Sequence, residues 1–229
     1  MKKELLLFIS NNYPSNRINN DLSNNRYDLF DEIKLLNENN LDKFIKNIIE
    51  NIITKYGYRG YGYWIWKPYI ILQELNNLDE GDILIHLDSH CKLDSIKNKF
   101  TKIIDYLINE NNKPLIIAQS GFNDYMYTTI KLKNTVENYL SYKFSEEELL
   151  MPQYEAGIMF MKKNNFTINF FNVYFDIMKQ NIDTITDIYN NDKDNHKSFI
   201  ENRHDQSVCS LLAKYYKISN FNLSWEDVH

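Results

Sequence analysis

Cysteine is scarce: the chain has two, Cys91 and Cys209, in 229 residues. They show no metal-binding spacing. One disulfide between them is conceivable, but free thiols in a cytoplasmic protein are the expectation. No stretch approaches the roughly 20 apolar residues of a membrane-spanning helix, so only peripheral contact with a membrane stays open. The apolar start Leu5-Leu6-Leu7-Phe8-Ile9 is too short for a signal peptide, and Asn11-Asn12-Tyr13-Pro14 follows it in place of a small-residue cleavage site. Positive charge is not in excess either. Net charge is -5, from 26 Lys and Arg against 31 Asp and Glu. A nucleic-acid partner is not expected, because such binders need a basic stripe to displace counterions.

Hydrophobic residues make up 43% and charged residues 25%, enough for an ordinary core. Aromatics are plentiful at 14%, with 17 Tyr and 13 Phe. Tyrosine-rich surfaces line sites for ring-shaped ligands, because the ring packs while the hydroxyl hydrogen-bonds. Most of the Tyr and Asn surplus reads as compositional drift.

Apolar runs predict strands over 5–10, 83–87, 115–118 and 158–161. Spacings of three and four predict helices over 41–55, 69–75, 95–109, 146–150, 165–180 and 205–215. Pro68 suits the first turn of its helix. The segment 27–36 fits a strand or a short helix, and 11–25 and 190–195 read as loops. Strands alternating with helices imply one α/β domain over 1–229, with a mostly parallel sheet flanked by helices. In such sheets ligands sit beyond the C-terminal ends of the strands.

Two segments carry the chemistry. Gly60-Tyr61-Gly62-Tyr63-Trp64-Ile65-Trp66-Lys67-Pro68 is aromatic and basic, and Asp88-Ser89-His90 ends the strand over 83–87. A nucleoside diphosphate needs its charge neutralised as a sugar leaves, and a divalent cation held by hard ligands does this. Asp88 and His90, two apart on an extended segment, share a side and are the candidate ligands. An imidazole in the set favours Mn²⁺ over Mg²⁺. His229 is a further candidate, and Ser89 lies between the two. His86 reads as a packed histidine, while His204 fits a ligand or a structural role equally.

Arg59 and Lys67 are placed to offset diphosphate charge. Tyr61, Tyr63, Trp64 and Trp66 suit stacking on a base or a sugar, with at least one Trp expected only to pack in the core. Gly60 and Gly62 permit positive φ or close approach. Glu155 suits a sugar hydroxyl or a general base, although a parallel strand would carry it to the wrong end of the sheet. Asp124, after the strand over 115–118, suits contact with donor or acceptor.

The segments Gly60 to Pro68 and Gly81-Asp82-Ile83-Leu84-Ile85-His86-Leu87-Asp88 resemble a group of bacterial and viral glycosyltransferases of GT-A fold. That group builds capsular and lipopolysaccharide glycans. Glu155-Ala156-Gly157-Ile158-Met159 and Arg203-His204-Asp205-Gln206-Ser207 extend the resemblance over most of the chain. Many relatives carry Asp-Ala-Gly where this chain has Asp-Ser-His. An Asp-x-His metal motif also occurs in polypeptide N-acetylgalactosaminyltransferases, which are GT-A enzymes. The pair Asp205-Gln206 is similar to the Asp-Gln segment of glycogenin-like enzymes and lipopolysaccharide galactosyltransferases, which sits beside the donor sugar. The helix-cap reading of Asp205 is compatible with this. The resemblance implies transfer of a sugar from a nucleoside-diphosphate sugar, UDP-linked, to a glycan, glycolipid or glycoprotein hydroxyl. The alternatives are a nucleotide-sugar- or glycan-binding module without turnover, and a nucleotidyltransferase. Against the last, Ser10-Asn11-Asn12-Tyr13 lacks the glycines of a phosphate-binding loop.

Overall fold

The computed structural model describes residues 1–11, 29–91, 93–221 and 223. The expected loop over 11–25, beyond Asn11, and the tail ending in His229 lie outside the described residues.

Five strands form one sheet: β1 (Lys3–Phe8), β2 (Glu32–Leu36), β3 (Ile83–Leu87), β4 (Leu115–Asn123) and β5 (Pro152–Lys162). Their order across the sheet is β2-β1-β3-β5-β4. The undecided segment over 27–36 supplies β2. β1 pairs parallel with β2 and β3, whereas β5 runs antiparallel to both β3 and β4. The sheet is therefore mixed, which corrects the expectation of a mostly parallel one. The physical reason is simple. A strand buried on both faces reads as a continuous apolar run whichever way it points, so Ile158-Met159-Phe160-Met161 carries no direction.

The longer helices are α1 (Lys43–Tyr56), α2 (Trp66–Asn77), α3 (Leu93–Asn109), α4 (Ile130–Leu140), α5 (Asn165–Gln180) and α6 (His204–Tyr216). α1 buries Ile45, Ile49 and Ile52, is capped by Asp42 and stops at Gly57, which takes φ 88°. Pro68 falls in the first turn of α2, where a missing N–H leaves no helix bond unmade. α4 gave no sequence expectation. It buries only Leu132 and Val136 as apolar residues, too thin a stripe to register.

Strand residues alternate between two cores, as a period of two requires. Leu6, Leu84, Met159 and Met161 pack with α1, α2, α4, α5 and α6 on one face. Leu5, Leu7, Ile85 and Phe160 pack with α3 on the other, through Phe100, Ile103 and Leu107. No helix among the described residues is long and apolar enough to cross a membrane.

Candidate functional site

β1 and β3 are parallel neighbours, so their C-terminal ends share one edge. Because β5 is antiparallel, its first half arrives at that same edge. Asp88 N donates to Gly157 O at 2.8 Å, and Glu155 lies two residues further along. Strand direction thus delivers Glu155 to the end of β3 that carries Asp88, which a parallel strand could not do. Phe8, Asp88, Glu155 and Asp205, with Tyr61, Trp64, Trp66 and Lys67 from the aromatic segment, line one cavity of about 730 Å³. That volume suits a ligand of nucleotide-sugar size.

The centre of the cavity is an ion cluster. Lys67 Nζ lies 3.1 Å from Asp88 Oδ1, 3.2 Å from Asp88 Oδ2 and 3.1 Å from Asp205 Oδ2. Burial disfavours the Lys67 ammonium, but Asp205 and Asp88 outweigh it and hold its pKa above the ordinary value. Burial likewise works against the Asp88 carboxylate, yet Lys67 and the His86 ring keep its pKa well below the usual range. His86 Nε2 lies 3.4 Å from Asp88 Oδ1. Asp205 shares the same lysine and goes the other way. Its burial, with Asp88 adding repulsion, pushes it up to about 6 against the pull of Lys67. Burial raises Glu155 to about 7, opposed by Arg203 and helped by Asp88. One cavity therefore holds a carboxylate kept charged and two carboxyl groups poised near neutrality, a pattern found at functional sites.

The aromatic wall rests on an uncommon backbone. From Gly60 to Trp64 five successive residues have φ of 53°, 47°, 84°, 55° and 59°. They form a left-handed turn, closed by Tyr63 N to Arg59 O at 2.7 Å and Trp64 N to Gly60 O at 3.1 Å. Such backbone costs an L-residue about 1–2 kcal/mol. Glycine removes that cost at two of the five positions. The Trp64 ring stacks on His204, with centroids 5.5 Å apart and planes at 17°. Trp66 stacks on Phe8 at 3.9 Å and donates from Nε1 to Gly60 O at 3.1 Å. Trp66 is largely buried but still lines the cavity.

The sequence-predicted residues divide clearly. Arg59, Trp66, Lys67, Asp88, Ser89, His90, Glu155, Asp205 and Gln206 line the cavity. Arg59 is already paired, with Asp187 at 3.0 Å and Glu201 at 3.3 Å. Tyr63 is not a lining residue; it is buried, its hydroxyl 3.1 Å from Tyr56 O. Asp124 is not one either. It heads the short helix Asp124–Tyr127, and its carboxylate pairs with Lys214 at 2.5 Å. His229 lies outside the described residues. Ser89 and His90 are not on an extended segment: Cys91 N donates to Asp88 O at 3.0 Å, closing a turn around them. Both still face the cavity, by the turn rather than by strand alternation. His204 also lines the cavity, and one side of its ring is tied to the backbone. Its Nδ1 lies 2.7 Å from Ile185 O, and burial lowers its pKa to about 4, so the ring is neutral and donates to that carbonyl.

Sequence reasoning missed Phe8, Ser10, Glu201 and Arg203, which also line the cavity. Phe8 ends β1 and Ser10 follows it, so the rule of C-terminal strand ends applied to that strand would have found them. Arg203 sits inside the Arg203-His204-Asp205-Gln206 segment. Its guanidinium lies 4.0 Å from the Tyr127 ring centroid. Nothing in the sequence marks Glu201.

Among the described residues no three His, Cys, Asp or Glu side chains converge as a closed set. Asp88 and His90 both line the cavity, and the Asp88 side chain is 21% exposed. Mg²⁺ and Mn²⁺ sites commonly take one or two protein ligands and fill the rest with phosphate and water.

No family model matches the chain, and no curated protein matches it. Among solved structures it is similar to mouse xyloside xylosyltransferase 1 in its apo form, at 8% identity and a TM-score of 0.44. The match covers 98% of this chain and 84% of that one. So distant a likeness assigns neither fold family nor chemistry.

Proposed function

We propose that this chain is a glycosyltransferase that takes a nucleoside-diphosphate sugar, UDP-linked, and passes the sugar to a hydroxyl of a glycan, glycolipid or glycoprotein. One observation carries the reading: Asp88, Lys67, Asp205 and Glu155 converge beside an aromatic wall in a cavity of about 730 Å³. In this reading Asp88 and His90 hold Mn²⁺ or Mg²⁺, which when bound offsets the charge of the leaving diphosphate. Lys67 keeps Asp88 ionised and aimed. Arg203, with 31% of its side chain exposed, adds positive charge for the phosphates. The aromatic wall of Tyr61, Trp64 and Trp66 packs against the base. Asp205 and Gln206, at the head of α6, face the sugar. Glu155, poised at about 7, takes the proton from the acceptor hydroxyl.

A second reading, a nucleotide-sugar-binding module without turnover, is favoured by one feature. The Lys67 ammonium already touches both Asp88 oxygens and supplies cationic charge there by itself. Incubation of the purified chain with UDP-hexoses and Mn²⁺ separates the two. Transfer or hydrolysis that disappears in Asp88→Ala and on chelation supports the enzyme. Wild-type turnover in Asp88→Ala rejects the site assignment. Donor binding without product, whatever the acceptor, supports the binding module.

A further inference from the structure

Asp124 does not reach the cavity, yet it holds one of the cavity's side chains at two removes. Its carboxylate is 1% exposed and accepts four hydrogen bonds. Thr128 Oγ1 at 3.1 Å and Gln153 Nε2 at 3.0 Å donate to Oδ1. Ser210 Oγ at 3.0 Å and Lys214 Nζ at 2.5 Å donate to Oδ2. An ion-paired carboxylate accepts and never donates. Gln153 must therefore turn its amide nitrogen towards Asp124, which sends its oxygen the other way. That oxygen accepts from Gln206 Nε2 at 2.8 Å. Gln206 lines the cavity, and while one of its two Nε2 protons is held by Gln153, its Oε1 has no protein partner among the described residues.

A glutamine side chain offers a donor at one end and an acceptor at the other, and alone it takes either orientation. Here a buried charge breaks the tie. Reversing Gln206 would set its oxygen against the Gln153 oxygen, and reversing Gln153 would set its oxygen against the Asp124 carboxylate.

We infer that Asp124 and Gln153 are positioning residues that fix the Gln206 amide with its carbonyl oxygen towards the ligand, and that the ligand group met there is a hydrogen-bond donor such as a sugar hydroxyl. A phosphate oxygen, which at neutral pH only accepts, is excluded as a partner of that Oε1. Only the identity of the donor rests on the nucleotide-sugar reading above; the orientation of the amide does not. Asp124 thus acts on the site through two amides rather than by touching donor or acceptor.

Two measurements on the full chain test this. The first is proton exchange of the Gln206 side-chain amide, followed by nuclear magnetic resonance on ¹⁵N-labelled protein without ligand. The Gln206 Nε2 proton bonded to Gln153 is expected to be protected in the wild type and exposed in Gln153→Met. Ser210→Ala removes one donor to the same carboxylate without touching either amide, and it is expected to keep the protection. Exchange of that proton at the open-solvent rate in the wild type, or protection that persists in Gln153→Met, overturns the relay. The second is calorimetry with UDP and with UDP-glucose in Mn²⁺. Gln153→Met is expected to weaken UDP-glucose about tenfold, the scale of one hydrogen bond, and to leave UDP unchanged. Equal weakening of both, or of neither, overturns the assignment of the donor. If the wild type binds neither probe, the nucleotide-sugar reading fails, and the amide exchange still decides the relay.

Discussion

Gly157 faces Asp88 so closely that a Cβ placed on it would sit 2.6 Å from Asp88 Oδ2. The carboxylate at the end of β3 occupies space that only glycine leaves on β5. Gly157→Ala is expected to push Asp88 out of line with Lys67 while the strand pairing survives. Turnover of a UDP-hexose should fall at least tenfold, about 1.4 kcal/mol, because small misplacements of a reacting centre are costly. Activity assays beside a thermal melt check this; wild-type activity in a folded Gly157→Ala would show that Asp88 does not need its present position.

Lys67, itself buried, neutralises the buried Asp205 and the partly exposed Asp88 at once. Removing it leaves Asp88 and Asp205 without their cation, and breaking a buried pair from one side costs about 3–5 kcal/mol. Lys67→Met is expected to lower the urea midpoint strongly. Adding Asp205→Asn should recover part of the loss, since one of the two orphaned charges is gone. A double variant no more stable than Lys67→Met would contradict the shared ion cluster.

The pH dependence has a definite sign. Glu155 titrates near 4.5 unfolded and at about 7 folded, so the folded state binds the extra proton between those values. Its stabilising contribution is complete below about 4.5 and is lost as pH rises through about 7. Glu155→Gln removes that dependence. The melting temperature of the variant relative to the wild type should therefore rise between about pH 5 and about pH 8. A difference that stays flat across this window would mean that Glu155 titrates normally.

The left-handed turn predicts a local effect. Gly60 has φ 53°, and a Cβ there would run into the Trp64 ring. Gly60→Ala is expected to destabilise the fold by about 1–2 kcal/mol from backbone strain, with a further cost from displacing the ring. Gly81 also has positive φ, at 91°, but has open space around it. Gly81→Ala should then carry the strain alone. Chemical denaturation of the two variants compares them, and an equal loss would remove the ring clash from the account.

Much of the framework was legible in the residues. Ile83–Leu87 and Asn165–Gln180 match their expected bounds, because one is an unbroken apolar run and the other a full amphipathic stripe. Asp88, Lys67, Asp205 and Gln206 line one cavity; position at a strand end or a helix start drew attention to Asp88 and Lys67, whereas the resemblance drew attention to Asp205 and Gln206. The short helix Gly60–Tyr63 and the turn at Ser89 and His90 were not legible. The first depends on left-handed dihedral angles that run against local preference, and the second on a backbone bond from Cys91 N to Asp88 O that the residue types do not announce. Asp124 was misread for a related reason. Its position after β4 suggested a ligand contact, but Lys214, 90 residues away, claims its carboxylate.

By itself the sequence determined most of the strands and longer helices, β2 and α4 excepted, because the period of apolar residues follows from backbone geometry and needs no partner. Only the tertiary structure decided the direction of β5, and with it the meeting of Glu155 with Asp88. Direction is settled by which neighbour a strand pairs with, and a run buried on both faces satisfies that burial equally well either way up.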